Sequence, residues 1–185
     1  MSGWCVSGST YAHQIATADT ERNSALDRAA QSARIARVDA LTNLYNRYAL
    51  EHDLGNLPAE GSLTFIDLDS LKRYNDEYGH AHGDNLLCSF ARSLTAALGK
   101  RGELYRLSGD EFAVTCPSGD TTFVADAIAQ SIQTMKASGF EFAGASYGSV
   151  HRRETESLEQ LKHVADSRMY EEKHRRKSVG QKRSA

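Results

Sequence analysis

Residues 106–114 read RLSGDEFAV. Two apolar-flavoured runs meet across Ser108, Gly109 and Asp110, and the return run opens with Glu111. Leu104 to Cys116 therefore reads as a tight β-hairpin with two adjacent carboxylates at its tip. One explanation is turn chemistry, since Gly and Asp tolerate unusual backbone angles and solvate well. The other is that acids on a rigid tip bind metal ions or move protons.

Ahead of this hairpin, Leu63–Leu68 (LTFIDL) is a buried-strand pattern ending in carboxylates. Leu86, Leu87, Phe90, Ala91, Leu94, Ala97 and Leu98 recur at helical spacing, and Gly99 and Gly102 bracket a break. Phe123, Val124, Ala127, Ile128, Ile132 and Met135 mark a second helix that stops near Gly139. Phe140–Val150 reads as a strand, and Leu158, Leu161, Val164, Ala165 and Met169 as a last helix. Helices and strands alternating around one hairpin imply an α/β (α+β) fold, a central sheet with flanking helices.

The 185 residues suffice for one cored domain and an appendage. Residues 10–38 contain no Gly or Pro and are rich in Ala and Arg, which predicts an exposed or partner-seeking helix. Domains are read as 1–38, a helical stalk or leader; 39–178, the main domain; and 179–185, a basic tail. A net charge of −2 gives no general drive toward nucleic acid or membrane, and no specific nucleic acid is expected. No stretch approaches the ~20 apolar residues of a membrane span, and the start lacks the pattern of a signal peptide. Cys5, Cys88 and Cys116 form neither a disulfide framework nor a zinc pattern. Cys88 and Cys116 read as small core residues, and a reducing cytoplasm is the expected location.

The chemistry gathers in DLDSLKRYNDEYGHAHGDNLL, residues 67–87. Either the strand runs through Asp69, and Asp67 and Asp69 share a face, or it turns near Leu68 and only one of them need face a site. An EF-hand fails, because Leu71 and Lys72 stand where an oxygen ligand and a Gly are needed. Zinc at His80 and His82 lacks supporting ligands. If the strand end and the hairpin tip are neighbours in one sheet, Asp67 and Asp110 converge. Two carboxylates with open positions suit magnesium and phosphate oxygens. Lys72, Lys173 and Lys177 could neutralise a triphosphate, and Asn75 and Asp84 offer edges for reading a purine.

These residues together resemble the GGDEF family of diguanylate cyclases, from about Asp39 to Lys177. DALTNLYNR (39–47) resembles the family's D-x-L-T-x-L-x-N-R, and residues 67–87 resemble D-x-D-x-F-K-x-x-N-D-x-x-G-H-x-x-G-D-x-x-L. SGDEF (108–112) stands at the signature, SYGSV (146–150) at S-x-G-x-A, and ADSRMYEEKHRRK (165–177) at the closing motif. The resemblance implies a nucleotide-cyclase and polymerase-palm-like sheet with an N-terminal helical extension. It implies condensation of two GTP into cyclic di-GMP with release of two pyrophosphates, by a homodimer whose two sites face each other. The implied ion is magnesium, with manganese as its substitute. Asp67 would bind it through the side chain, Leu68 through the backbone carbonyl, and Asp110 and Glu111 as further ligands. Asp110 would also activate the 3′-hydroxyl, with Glu111 in support. Asn75 and Asp84 would read guanine, His80 would lie near the ribose, and Lys72, Lys173 and Lys177 would hold phosphates. An upstream sensor domain or protein is a natural partner.

The chain departs from the family at several points. Ser108 replaces the first Gly of the signature, Leu71 a Phe, Arg176 a Gly and Lys177 an Arg. The inhibitory R-x-x-D of many members falls here on Gly99 and Gly102, so no product inhibition through it is expected. The competing reading is a catalytically silent GGDEF domain that binds GTP or a protein as a regulatory module. A mixed guanine–adenine product is disfavoured, because a carboxylate at 84 suits guanine's donors.

Overall fold

The computed structural model describes residues 37–182, together with Ser32. The helix expected over residues 10–38 falls almost wholly outside the described residues, as do Cys5 and the last residues of the tail. Val38 itself is extended, bridged to Tyr45.

Strand β1 (Tyr45–Asn46) leads into α1 (Arg47–Leu54), whose first turn is capped by the Asn46 side chain accepting from the Ala49 amide at 3.2 Å. Next come β2 (Ser62–Asp69), α2 (Leu71–Tyr78) and α3 (His80–Leu98). The hairpin β3 (Glu103–Ser108) and β4 (Glu111–Cys116) leads to α4 (Thr121–Ala137), β5 (Gly144–His151), a short 3₁₀ turn and α5 (Leu158–Lys182). The strands lie in the order β1-β3-β4-β2-β5; β1 runs parallel to β3, and every other pair is antiparallel. The hairpin read from the sequence is therefore real, and β2 lies beside it, as the convergence of Asp67 and Asp110 requires.

Alternation along the central strands divides the core into two layers. Ile66, Leu68, Phe112, Val114 and Cys116 meet Leu86, Phe90, Leu94 and Ile128 of α3 and α4. On the opposite face Leu63, Tyr105, Ala113 and Val150 meet Leu50 and Leu54 of α1 and Leu161 and Ala165 of α5. Helices cover both faces of a mixed five-stranded sheet, the α+β arrangement expected.

Two sequence readings are corrected. The strand expected from Phe140 begins only at Gly144. The alternation Phe-Glu-Phe suggests a strand, yet the backbone here is bonded elsewhere. The Phe140 amide donates to Met135 O (3.0 Å), the Phe142 amide to Tyr74 Oη (3.0 Å), and the Phe142 carbonyl accepts from Ser70 Oγ (2.9 Å). Cys88 is half-buried rather than a core residue, its thiol turned to the Leu41 carbonyl, whereas Cys116 is fully buried.

The last helix reaches the sheet through Gly148. A Cβ there would strike the Met169 amide and the Ala165 carbonyl of α5. Gly148→Ala is expected to destabilise the domain by about 2 to 3 kcal/mol through overpacking, read as a lower denaturant midpoint. A wild-type midpoint would mean that α5 can shift freely.

Candidate active site

Strand β2 runs through Asp69, so Asp67 and Asp69 share the face covered by α5. In register, Asp67 stands between Glu111 of β4 and Ser146 of β5. The Leu68 amide donates to the Asp110 carbonyl at 2.9 Å, which fastens the hairpin tip to the strand end. Ser70, at φ +73°, then turns the chain sharply into α2.

Asp67 is 7% exposed, and its Oδ2 accepts from Lys173 Nζ at 2.6 Å. Its other oxygen, Oδ1, is buried without a hydrogen-bond partner. Burial lowers the Lys173 ammonium pKa, but the hydrogen bond and charge of Asp67, aided by Asp110 and Asp69, outweigh it and leave the pKa raised. Asp110 is pushed above the usual carboxylate range by burial and then by the charge of Asp67. Asp69 is pushed up by burial, even with Arg176 3.6 Å away and the charges of Lys173 and Lys177 acting on it. Desolvation, more than the balance of charge, raises both acids.

The tip is braced from behind. Gly109 adopts φ +44°, and its carbonyl accepts from Arg106 Nε (3.2 Å) and Nη2 (2.9 Å). The Arg106 Nη1 donates to Asp39 Oδ1 at 2.9 Å. Asp39 also accepts from the Thr42 amide (2.9 Å) and hydroxyl (2.6 Å). Burial pushes Asp39 up, but these Thr42 bonds and Arg106 together hold it below the usual range. Glu111 Oε2 accepts from Ser108 Oγ at 2.8 Å and lies 3.5 Å from Arg47 Nη2.

Beside this end of the sheet, α2 and α3 meet at Gly79, whose φ of +83° suits glycine at the corner. The Asn75 side chain fills the space where a Cβ on Gly83 would stand, and Asp84 follows Gly83 on α3. Asp84 is exposed and Asn75 half-buried, so both can present polar edges at this notch.

Of the residues singled out from sequence, Asp67, Asp110, Glu111, the Leu68 backbone and Lys173 come together. Lys177 follows one turn beyond Lys173 on α5, and Asn75 and Asp84 share the α2–α3 junction. Lys72 and His80 are exposed on α2 and at the start of α3. Asp69, opposed by Arg176, and the brace of Asp39, Arg106 and Arg47 went unassigned. Asp39 and Arg47 were visible only as motif letters. Arg106, just ahead of the turn, was the available signal for the brace.

A divalent cation fits what is present. Among the described residues no group of three or more His, Cys, Asp or Glu side chains could hold a metal by itself. An orphaned buried carboxylate oxygen on Asp67, with Asp110 beside it, is instead the partial donor set that hard cations complete with phosphate oxygens.

A family model described as "Diguanylate cyclase, GGDEF domain" matches residues 36–178. The chain is 32% identical over 173 residues to diguanylate cyclase VdcA of Vibrio cholerae, covering 87% of this chain and 51% of that protein. It is 33% identical over 153 residues to diguanylate cyclase DgcM of Escherichia coli, covering 77% and 37%. It thus spans about half or less of these curated relatives. Among solved structures, diguanylate cyclase SiaD from Pseudomonas aeruginosa, in complex with its activator SiaC, superposes with a TM-score of 0.67 at 25% identity, covering 90% of this chain and 76% of that one. The GGDEF domain of DgcB from Caulobacter crescentus, in complex with c-di-GMP, gives 0.67 at 27%, covering 75% and 91%. With the family model matching most of its length and a strand end, hairpin and helix junction arranged as above, this chain belongs to the GGDEF family.

Proposed function

We propose that this chain is a diguanylate cyclase: it joins two GTP molecules into cyclic di-GMP and releases two pyrophosphates, each of two facing domains contributing one GTP. The observation that carries this reading is the pairing of Asp67, salt-bridged to Lys173 and left with one orphaned oxygen, with Asp110 on the braced hairpin tip. Family membership and the named cyclases among the relatives add to it.

Asp67, the Leu68 carbonyl, Asp110 and Glu111 would hold magnesium or manganese, which when bound supplies Lewis acidity to the 3′-hydroxyl and to the departing pyrophosphate. Asp110, on the hairpin tip fastened to β2 through the Leu68 amide, takes the 3′-hydroxyl proton. The 3′-oxygen then bonds to the α-phosphorus of the opposite GTP as that phosphorus loses its bond to the pyrophosphate oxygen. Glu111 supports Asp110. Lys173, Lys72 and Lys177 neutralise the leaving group, and Asn75 and Asp84 read guanine with His80 beside the ribose.

Residues 39–178 form the catalytic unit of this reading, fed by a stalk within 1–38, with 179–185 as a basic tail. With Gly99 and Gly102 in place of R-x-x-D, product does not shut the enzyme down through that site. No helix among the described residues is long and apolar enough to cross a membrane. The place of work in this reading is the cytoplasm, under an upstream sensor domain or protein. SiaD, with its activator, is a neighbour that takes a protein partner.

Product should be followed by mass spectrometry after incubation with GTP and magnesium over a range of protein concentrations. Cyclic di-GMP is expected, at a rate per protein that climbs with concentration. GTP binding without product at any concentration would replace this reading with that of a silent regulatory module, which the hold of Ser108 and Arg47 on Glu111 favours.

A further inference from the structure

Ser108 stands where the family signature has glycine, and its hydroxyl is engaged. The register of the hairpin shifts between Arg106 and Ser108, which makes Ser108 and Glu111 its last facing pair. Ser108 Oγ donates to Glu111 Oε2 at 2.8 Å, and Arg47, the first residue of α1, approaches the same oxygen at 3.5 Å. Glycine at 108 has no hydroxyl to give. Glu111 and Arg47 side chains are 43% and 56% exposed, so interaction rather than packing holds the carboxylate. It also borders an open cleft of about 410 Å³ between α1 and α5, lined by Arg47, Phe65, Leu107 and Met169 among others.

Directly opposite Glu111 on β2 is Asp67, with its buried unpartnered oxygen. A cation drawn to that oxygen also attracts Glu111. Turning toward the cation means leaving Ser108 and the guanidinium of Arg47, whose unpaired positive charge then stands against the incoming ion.

We propose that Ser108 is a positioning residue: together with Arg47 it latches Glu111 away from the cation site, and so sets how tightly that site takes a divalent ion. This rests on the reading of Glu111 as a metal-facing carboxylate. One exposed hydrogen bond to a charged acceptor corresponds to about a three- to tenfold change in affinity.

The test is Mn²⁺ binding by the full chain, followed by loss of the free-ion EPR signal, with and without 3′-deoxy-GTP, which lacks the attacking hydroxyl. Ser108→Gly and Ser108→Ala are expected to bind Mn²⁺ about three- to tenfold more tightly. Ser108→Thr, which keeps the hydroxyl, should hold the wild-type constant, and Arg47→Gln should shift in the same direction as Ser108→Ala. Unchanged or weaker binding by Ser108→Ala overturns the latch. A wild-type chain that takes up no Mn²⁺ under either condition overturns the cyclase site itself and the latch with it. Uptake by the wild type with one constant for all variants overturns the role of Ser108 alone.

Discussion

Asp110→Asn is expected to lower cyclic di-GMP formation by about a thousandfold, the scale of a lost general base, while leaving the domain folded and more heat-stable near neutral pH. The gain in stability has an electrostatic cause. Asp110 is half-buried beside Asp67, and both burial and that charge raise its pKa. A group with a raised folded-state pKa stabilises the fold only while it keeps its proton. That advantage is fully present below its unfolded value and is lost as pH rises through the folded one. The ionised Asp110 of neutral solution is therefore a standing cost, and the neutral isostere removes it. The gain in melting temperature should vanish in acid, where Asp110 of the wild type is protonated too. Initial rates by mass spectrometry and melts at two pH values check both halves. Near-normal product from Asp110→Asn would strip Asp110 of its proposed role.

Lys173→Met should damage both stability and catalysis. Lys173 Nζ lies 2.6 Å from Asp67, whose side chain is 10% exposed, and Lys173 itself is 29% exposed. Removing the cation leaves a buried carboxylate unpaired, which costs about 3 to 5 kcal/mol in a fully buried pair and about 2 to 3 here, where water reaches the lysine. Burial alone would depress the Lys173 pKa, but the bond to Asp67 and the neighbouring acids raise it overall. Its stabilising share is thus intact through neutral pH and fades only as pH climbs through that raised value. Loss of a cation at the leaving phosphates should also slow product formation by about a hundredfold. Asp67→Asn combined with Lys173→Met should recover most of the stability and none of the rate. A double variant no more stable than Lys173→Met alone would show that the two residues do not depend on each other.

Much of this was legible in the chain. Strand β2 and helices α3, α4 and α5 follow apolar spacing that any buried layer imposes, and the hairpin announces itself through Ser-Gly-Asp between two strand-like runs. The meeting of Asp67 with Asp110 followed once the hairpin and β2 were taken as neighbours. What escaped depends on partners far along the chain. Phe140–Ala143 has the alternation of a strand, and nothing local reveals that Tyr74 Oη and Ser70 Oγ claim the backbone of Phe142. Cys88 keeps helical step with its apolar neighbours, yet its thiol faces the Leu41 carbonyl. The facing of Asp69 is ambiguous in the sequence, because one residue more or less of strand turns a side chain to the other face. Arg176 looked only like a lost glycine until the fold set it opposite Asp69.

The bond between Arg106 and Asp39 spans 67 positions of sequence, and it bears on how this protein can be cut. Asp39, at the very threshold of the domain, is tied through one guanidinium to the carbonyl of Gly109. A fragment trimmed back to the first helix of the domain would look complete by its core, for Leu50, Leu54 and their partners would all remain. It would nonetheless have lost the anchor of its hairpin tip. The smallest piece that keeps its shape and the smallest piece that keeps its chemistry are therefore different lengths.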